Sequence, residues 1–404
     1  MRTPSLVLLR VQSFRFLGLA TTLNSIGMMG ETVVLGWLTL ELTNSPFLVG
    51  VAMGIRSIPL FFIGMPAGVL ADRLPRKRLM VMTGIGQTLT VGALGALTLL
   101  GLVNLVAILA LTFLSGIIRG IEQAARQSYA HDVIGASELV NGLAVLGVAM
   151  RVGWLVGSLV AGGAIAHFGS GTAYLAVASG YLGGALALLP ASAPQFAREP
   201  ASGSLWRGVV DFVSDVGKDR TLLVLMLLTS GAEILGFSHQ ALLPSLARDS
   251  LRVGPEGLGG MNAARSIGGI VALVVLSVRP IQRGGGILLL SVLVSFGGSL
   301  IVLGMAPHFV GFTGVVIVLI LANSAGALTD LLGQSLMQLS VPAHLRGRAG
   351  GAWVVAIGLA PLGQLQIGAL ASLFGVSLAL GASGLALVAL ATGAAMLFPR
   401  VRHL

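Results

Sequence analysis

The sequence predicts an all-α membrane protein with twelve transmembrane helices in two pseudo-symmetric six-helix bundles. Three observations carry this reading. The 404 residues are 55% hydrophobic and only 9% charged, with a mean hydropathy of +0.96, whereas soluble globular proteins carry about 25% charge. Such a chain cannot build a water-facing surface, which excludes a soluble enzyme or binding module. Apolar runs near the roughly 20 residues that a helix needs to cross a bilayer recur along the chain, and basic residues cluster between them on alternate sides.

The runs are bounded by charges, Gly/Pro or Asn/Ser breaks. In the first half they cover 14–40, 47–71, 79–101, 104–129, 138–167 and 171–190. Then comes the one sizeable hydrophilic stretch, 191–220, ASAPQFAREPASGSLWRGVVDFVSDVGKDR. The second half covers 221–247, 257–279, 285–306, 308–338, 347–373 and 375–398. The expected organisation is a six-helix bundle over 1–190, a cytoplasmic linker over 191–220 and a second bundle over 221–404. The opening MRTPSLVLLR is too short in its apolar run for a signal peptide.

The formal net charge of +10 and the pI near 11.4 would suit a nucleic-acid partner, but the placement of charge points elsewhere. Arg2, Arg10, Arg15, Arg73, Arg76, Lys77, Arg78 and Arg126 fall on one side, with Arg198, Arg207, Lys218, Arg220, Arg279, Arg283, Arg346, Arg348, Arg400 and Arg402. Only Arg248 and Arg252 fall on the other. Positive charge is retained on the cytoplasmic side, so both termini and the linker are expected there, facing anionic lipid and not nucleic acid. Twenty-two of the 24 basic residues are arginine, the usage of a GC-rich bacterial genome, so a multi-pass protein of a bacterial inner membrane is expected. There are no cysteines, which excludes disulfides and thiolate metal sites.

The halves repeat weakly. GIRSIP (54–59) recurs as AARSIG (263–268), and Gln123 and Gln127 recur as Gln334 and Gln338. Duplicated halves are a transporter architecture, with substrate bound near the midplane. The loop GMPAGVLADRLPRKRLM (64–80) resembles the signature G-x-x-x-D-R-x-G-R-R/K of the major facilitator superfamily. Gly68, Asp72, Arg73, Arg76 and Lys77 match, and Pro75 stands where the family has glycine. WLTLELTNSPFLVG (37–50), ARQSYAHDVIGASELVNGLA (125–144) and QLSVPAHLRGRAGG (338–351) are similar to the branch holding enterobactin-type and macrolide-type exporters. The resemblance implies the major facilitator fold, and a cytoplasmic latch between the halves at the 64–80 loop. GWLVGSLVAGG (153–163) keeps Gly153, Gly157, Gly162 and Gly163 of a glycine-rich export motif but has Ser158 in place of its proline; small-residue packing explains the same glycines. Gly358, Pro361 and Gly363 predict a kink in helix 11.

Charged side chains within a span mark function by default. The acids are Glu31, Glu122, Glu233 and Asp330, on helices 1, 4, 7 and 10, which line the central cavity in the resembled family; the bases are Arg56, Arg119, Arg151 and Arg265. Glu31, midway along helix 1, is expected to be a partly desolvated carboxylate that carries the coupled proton, tuned by Arg119. Arg119 resembles the helix 4 arginine of proton-coupled drug antiporters, with Glu122–Gln123 replacing the usual Gln-Gly. Arg119, Glu122 and Arg126 share one helical face, so Glu122 can hold Arg119 as a static pair. Glu233 is the second proton candidate and Asp330 the third. Arg56, Arg151 and Arg265 are expected to be structural or gating charges. His131, His167, His308, His344 and His403 are read as solvated, and His239 as cavity-lining or satisfied in the core.

No phosphate-binding loop, dinucleotide fingerprint, nucleophile elbow or zinc spacing occurs, so neither enzyme activity nor a cofactor or metal is expected. The function expected is proton-coupled export of a small amphipathic organic molecule, such as a drug, siderophore or metabolite, by alternating access in a monomer powered by the proton gradient. An importer or uniporter on the same fold is the alternative within transport. A non-transporting sensor or assembly factor is the alternative outside it.

Overall fold

The computed structural model describes residues 8, 10–192, 219–278, 284–341, 346–402 and 404, and every regular element within them is helical. Helix α1 spans Gln12–Thr43, α2 Pro46–Arg73 and α3 Arg76–Leu99. A helical run over Leu105–Ala187 is interrupted at Gly135 (φ 75°) and Gly169 (φ 80°). A side chain is strained at such a φ and glycine is not, so these positions turn the chain. They divide the run into α4 (105–134), α5 (136–168) and α6 (170–187). Asn104 opens α4 by accepting the Ala107 N–H at 2.9 Å, a side-chain cap on an otherwise unpaired donor.

The second half begins when Asp219 caps α7 by accepting from the Thr221 and Leu222 N–H groups. Helix α7 spans Arg220–Ser250, α8 Pro255–Val278, α9 Gly285–Phe309 and α10 Gly311–Leu339. Helix α11 comes in two segments, Arg346–Ile357 and Ala360–Phe374, and α12 spans Val376–Leu397 before the short α13, Pro399–Arg402. Among the described residues the twelve long helices overlie the twelve expected runs. The largest offset is at α4, expected to stop at 129 and continuing to 134, where Gly135 ends it. Among the described residues nine helical stretches are long and apolar enough to cross a membrane, α5 and α6 counting together as Asn141–Ala187.

Two helices depart from regular geometry. In α7 a π-turn at Ala232–Gly236 passes into a 3-10 stretch at Phe237–Leu242, a helical turn at Leu243–Ser245 and a second π-turn at Leu246–Ser250. Pro244 has no N–H for the carbonyl four residues back and its ring crowds that carbonyl, which is incompatible with a continuous α-helix here. In α11 the break falls at Gly358–Leu359, with Pro361 in the first turn of the second segment.

The chain forms two compact units. Unit 1 comprises Met1–Thr43, Ile55–Ser202 and Gly254–Ala263; unit 2 comprises Asn44–Gly54, Gly203–Val253 and Ala264–Leu404. Each unit therefore takes its main body from one expected bundle and a short piece from the other half. Most of the 191–220 linker lies outside the described residues, as do the surroundings of Gly68 and the side chains of Asp72 and Arg73.

Candidate functional site: buried charge clusters in the two units

In unit 1 five helices converge on Glu31 of α1, whose side chain is 1% exposed. Its Oε2 accepts from Arg56 Nη2 of α2 at 3.2 Å and from Tyr181 Oη of α6 at 2.5 Å; its Oε1 accepts from Ser115 Oγ of α4 at 2.6 Å. Gln87 of α3 donates from Nε2 to the Ser115 carbonyl at 2.9 Å, tying α3 to the same place. Arg56 is further held by Thr32 Oγ1 at 2.7 Å and the Met28 carbonyl at 3.0 Å, while its Nε is buried without a partner among the described residues. A buried carboxylate is tolerated when a cation and other donors satisfy it, and all three donor groups come from different helices.

Glycines permit this convergence. A Cβ on Gly27 would lie 2.9 Å from the Tyr181 ring, and one on Gly116 would lie 2.4 Å from the Arg56 carbonyl oxygen. Both positions must lack a side chain for α6 and α2 to approach close enough to present Tyr181 and Arg56.

The pairing differs from the sequence expectation in two places. Glu31 is not a lone carboxylate awaiting Arg119; its ion partner is Arg56, a residue expected to be a structural or gating charge. Glu122 does not hold Arg119. It pairs with Arg126 at 3.3 Å, one turn along α4, an acid-before-base i,i+4 order that is favoured over the base-before-acid order of Arg119 and Glu122. Arg119 remains within electrostatic range of Glu31, Arg56, Tyr181 and Glu122. Arg151 stacks over the Trp154 ring at 5.8 Å. Of the 64–80 loop, Arg76 donates to the Ser128 carbonyl at 3.0 Å and pairs with Asp132, while Lys77 donates to the Leu189 carbonyl at 2.6 Å. These ties all lie within unit 1. Gly153 and Gly157 pack against α1 at Thr22, Ser25 and Ile26, and Gly162 packs against Pro255 and Gly259.

In unit 2 the broken α7 organises the polar groups. His239, fully buried, donates from Nδ1 to the Gly236 carbonyl at 2.7 Å, satisfying an acceptor at the π-to-3-10 junction. That leaves Nε2 as an acceptor, 3.5 Å from Asn323 Nδ2 of α10. Asn323 Oδ1 accepts from Arg265 Nε of α8 at 3.2 Å, and Gln240 Oε1 accepts from Arg265 Nη2 at 2.9 Å. Phe296 of α9 meets the His239 and Phe237 rings edge-on at 6.1 and 5.3 Å. Two turns along α10 from Asn323, Asp330 accepts from Trp353 Nε1 at 3.2 Å. Glu233, in the first π-turn, is half-buried and lies within electrostatic range of Asp330. Among the described residues it makes no hydrogen bond or ion pair. The description of a lone intramembrane carboxylate therefore fits Glu233, not Glu31. Gly363 of α11 sits on this turn: its Cβ would lie 2.4 Å from the Ile234 carbonyl oxygen.

The sequence reading missed Tyr181, Ser115, Gln87, Thr32, Asn323, Gln240 and Trp353. Ser115 stands one turn before Arg119, and Asn323 stands two turns before Asp330. A search for uncharged polar residues on the charged stripe of each span would have found both. Among the described residues no group of acids and histidines could hold a metal ion.

Twelve long helices with ion pairs and polar relays buried inside the spans are the construction of a secondary transporter, in which intramembrane charge is reserved for substrate or ion handling. The chain belongs to the transmembrane secretion effector family of the major facilitator superfamily, whose pattern it matches over residues 3–404. Its relatives include a staphyloferrin A transporter of Staphylococcus aureus, 24% identical over 358 residues and 87% of each chain. The multidrug efflux pump Tap of Mycolicibacterium fortuitum is 25% identical over 393 residues and 93% of each chain. The enterobactin exporter EntS of Shigella boydii is 26% identical over 362 residues, 87% of this chain and 84% of its own. In fold the chain is similar to the nucleoside transporter NupG, with a TM-score of 0.76 at 15% identity over 96% of this chain and 99% of that one. It is also similar to the peptide transporter POT, with a TM-score of 0.77 at 14% identity over 97% and 95%. The protein is thus a multi-pass membrane transporter, not an enzyme.

Proposed function

We propose that this chain exports a small amphipathic organic molecule, of the drug, siderophore or metabolite type, in exchange for protons. The relatives described as an efflux pump and an exporter support the direction. The observation that carries the coupling is Glu233: a carboxylate in the break of α7, without a cation beside it among the described residues and with Asp330 as its charged neighbour. A charged carboxylate so placed costs several kcal/mol by order of magnitude, and a neighbouring carboxylate adds repulsion. One proton removes both. A transporter that changes face only with cargo bound or with this proton bound exchanges the two by alternating access.

Glu31, Arg119 and Asp330 complete the proposed coupling path, with Glu31 second to Glu233 because Arg56 already neutralises it. The proposal also includes cytoplasmic termini, a bacterial inner membrane, and a latch role for Gly68, Asp72, Arg73, Arg76 and Lys77. The test is flux of ethidium and fluorescein into inverted vesicles. An acid lumen should drive accumulation, and Glu233→Gln should abolish the pH-driven part while leaving the amount of folded protein unchanged. Net movement outward from such vesicles would make the chain an importer, and unaltered pH-driven flux in Glu233→Gln would remove Glu233 from the coupling path.

A further inference from the structure

Ser115, Arg119 and Glu122 follow one another at i, i+4 and i+7 and form a single stripe on α4. The Ser115–Glu31 hydrogen bond turns that stripe toward α1. Two guanidinium groups within the spans, Arg56 and Arg119, lie near two carboxylates, Glu31 and Glu122, and a third, Arg126, reaches Glu122 from one turn further along α4. Each carboxylate is engaged by a guanidinium other than Arg119: Glu31 by Arg56 at 3.2 Å and Glu122 by Arg126 at 3.3 Å. Among the described residues the half-buried Arg119 makes no hydrogen bond and no ion pair. Arg119 is therefore the one of the three guanidinium groups that no carboxylate engages among the described residues. Arg56 is itself among the charges near Arg119, and it adds to the positive field there.

We propose that Arg119 is the recognition point for an anionic group on the cargo, so that the exported molecule is an amphipathic organic anion such as a carboxylate. The guanidinium offers two parallel N–H donors in the geometry a carboxylate accepts. Its arrival neutralises the cluster, with Glu31 on Arg56, Glu122 on Arg126 and the cargo on Arg119. An uncharged cargo leaves the surplus charge in the membrane, and a cationic one adds to it. The site thus selects by charge before shape. This rests on the reading of the chain as an exporter of amphipathic molecules and narrows its cargo.

The experiment measures binding apart from flux. Full-length protein in nanodiscs is heated with cinnamate, neutral cinnamamide or cationic cinnamylammonium, and unfolding is followed by tryptophan fluorescence. Cinnamate should protect the wild type at concentrations roughly tenfold or more below those the amide requires, the factor that a charge-assisted hydrogen bond contributes. Arg119→Gln should erase that preference, and Arg119→Lys should keep part of it. Equal protection by cinnamate and cinnamamide, or a preference that survives Arg119→Gln, overturns the proposal. Should Arg119→Gln fail to fold, the wild-type comparison and Arg119→Lys decide alone. Anion preference without any vesicle flux would sink the exporter reading and leave the anion site standing. Flux confined to neutral and cationic probes would do the reverse.

Discussion

Glu31 and Arg56 form a buried pair in which each side chain also serves two further groups, Glu31 accepting from Ser115 and Tyr181 and Arg56 donating to Thr32 and Met28. Taking two charges into a low-dielectric interior is costly, and their mutual attraction offsets the cost only while both are present. Arg56→Met alone should therefore destabilise the protein by about 3–5 kcal/mol, because it strands a buried carboxylate. The double variant Glu31→Leu with Arg56→Met should recover most of that loss. Equilibrium unfolding in mixed micelles measures both. A pair with no energetic role would leave the single variant at wild-type stability.

At the scale of elements, helix approach in unit 1 is set by glycines whose neighbours leave no room for a methyl group. Gly116→Ala places a carbon where the Arg56 carbonyl oxygen is 2.4 Å away and Pro59 Cγ 3.0 Å away. It should push α2 off α4, loosen the Arg56–Glu31 contact, and destabilise by about 1–3 kcal/mol, the range for overpacking. Gly18 in α1 is the control, with nothing within 4 Å of its Cβ position. Gly18→Ala should stabilise by about 0.5–1 kcal/mol through helix propensity alone. The same unfolding assay separates them, and like-signed effects of both substitutions would refute the packing account. In α7 Glu233 lies in a π-turn, and the His239–Gly236 bond closes the junction where that turn gives way to the 3-10 stretch. Irregular turns of this kind recur where helices do chemical work.

At the scale of the whole molecule, the proposed orientation makes a simple claim. It puts Ser45, between α1 and α2, on the outer side and assigns Ser204, in the linker outside the described residues, to the cytoplasm. The chain has no cysteine, so Ser45→Cys and Ser204→Cys each introduce a single reporter. A membrane-impermeant thiol reagent on intact cells should label the first and spare the second. The reverse pattern would invert the topology, and with it the direction assigned to any flux.

Helix number, order and class were legible without coordinates. Each depends on properties a short window carries by itself: the hydropathy of some twenty residues, the arginines beyond their ends, and the Gly/Pro or Asn/Ser breaks between runs. The identities of the intramembrane charges were legible too, since Glu31, Arg56, Arg119, Glu122, Glu233, Arg265 and Asp330 stand out in apolar surroundings. Their partners were not. Whether Glu31 meets Arg56 or Arg119, and whether Glu122 turns to Arg119 or Arg126, depends on the rotation of each helix about its axis and on how closely α1, α2, α4 and α6 approach at Gly27 and Gly116. Those are contacts between residues far apart in the chain. Uncharged members such as Tyr181, Ser115 and Asn323 look like ordinary span residues until such contacts form. Local hydropathy decides that a segment crosses the membrane, and only packing decides which charge its neighbour satisfies.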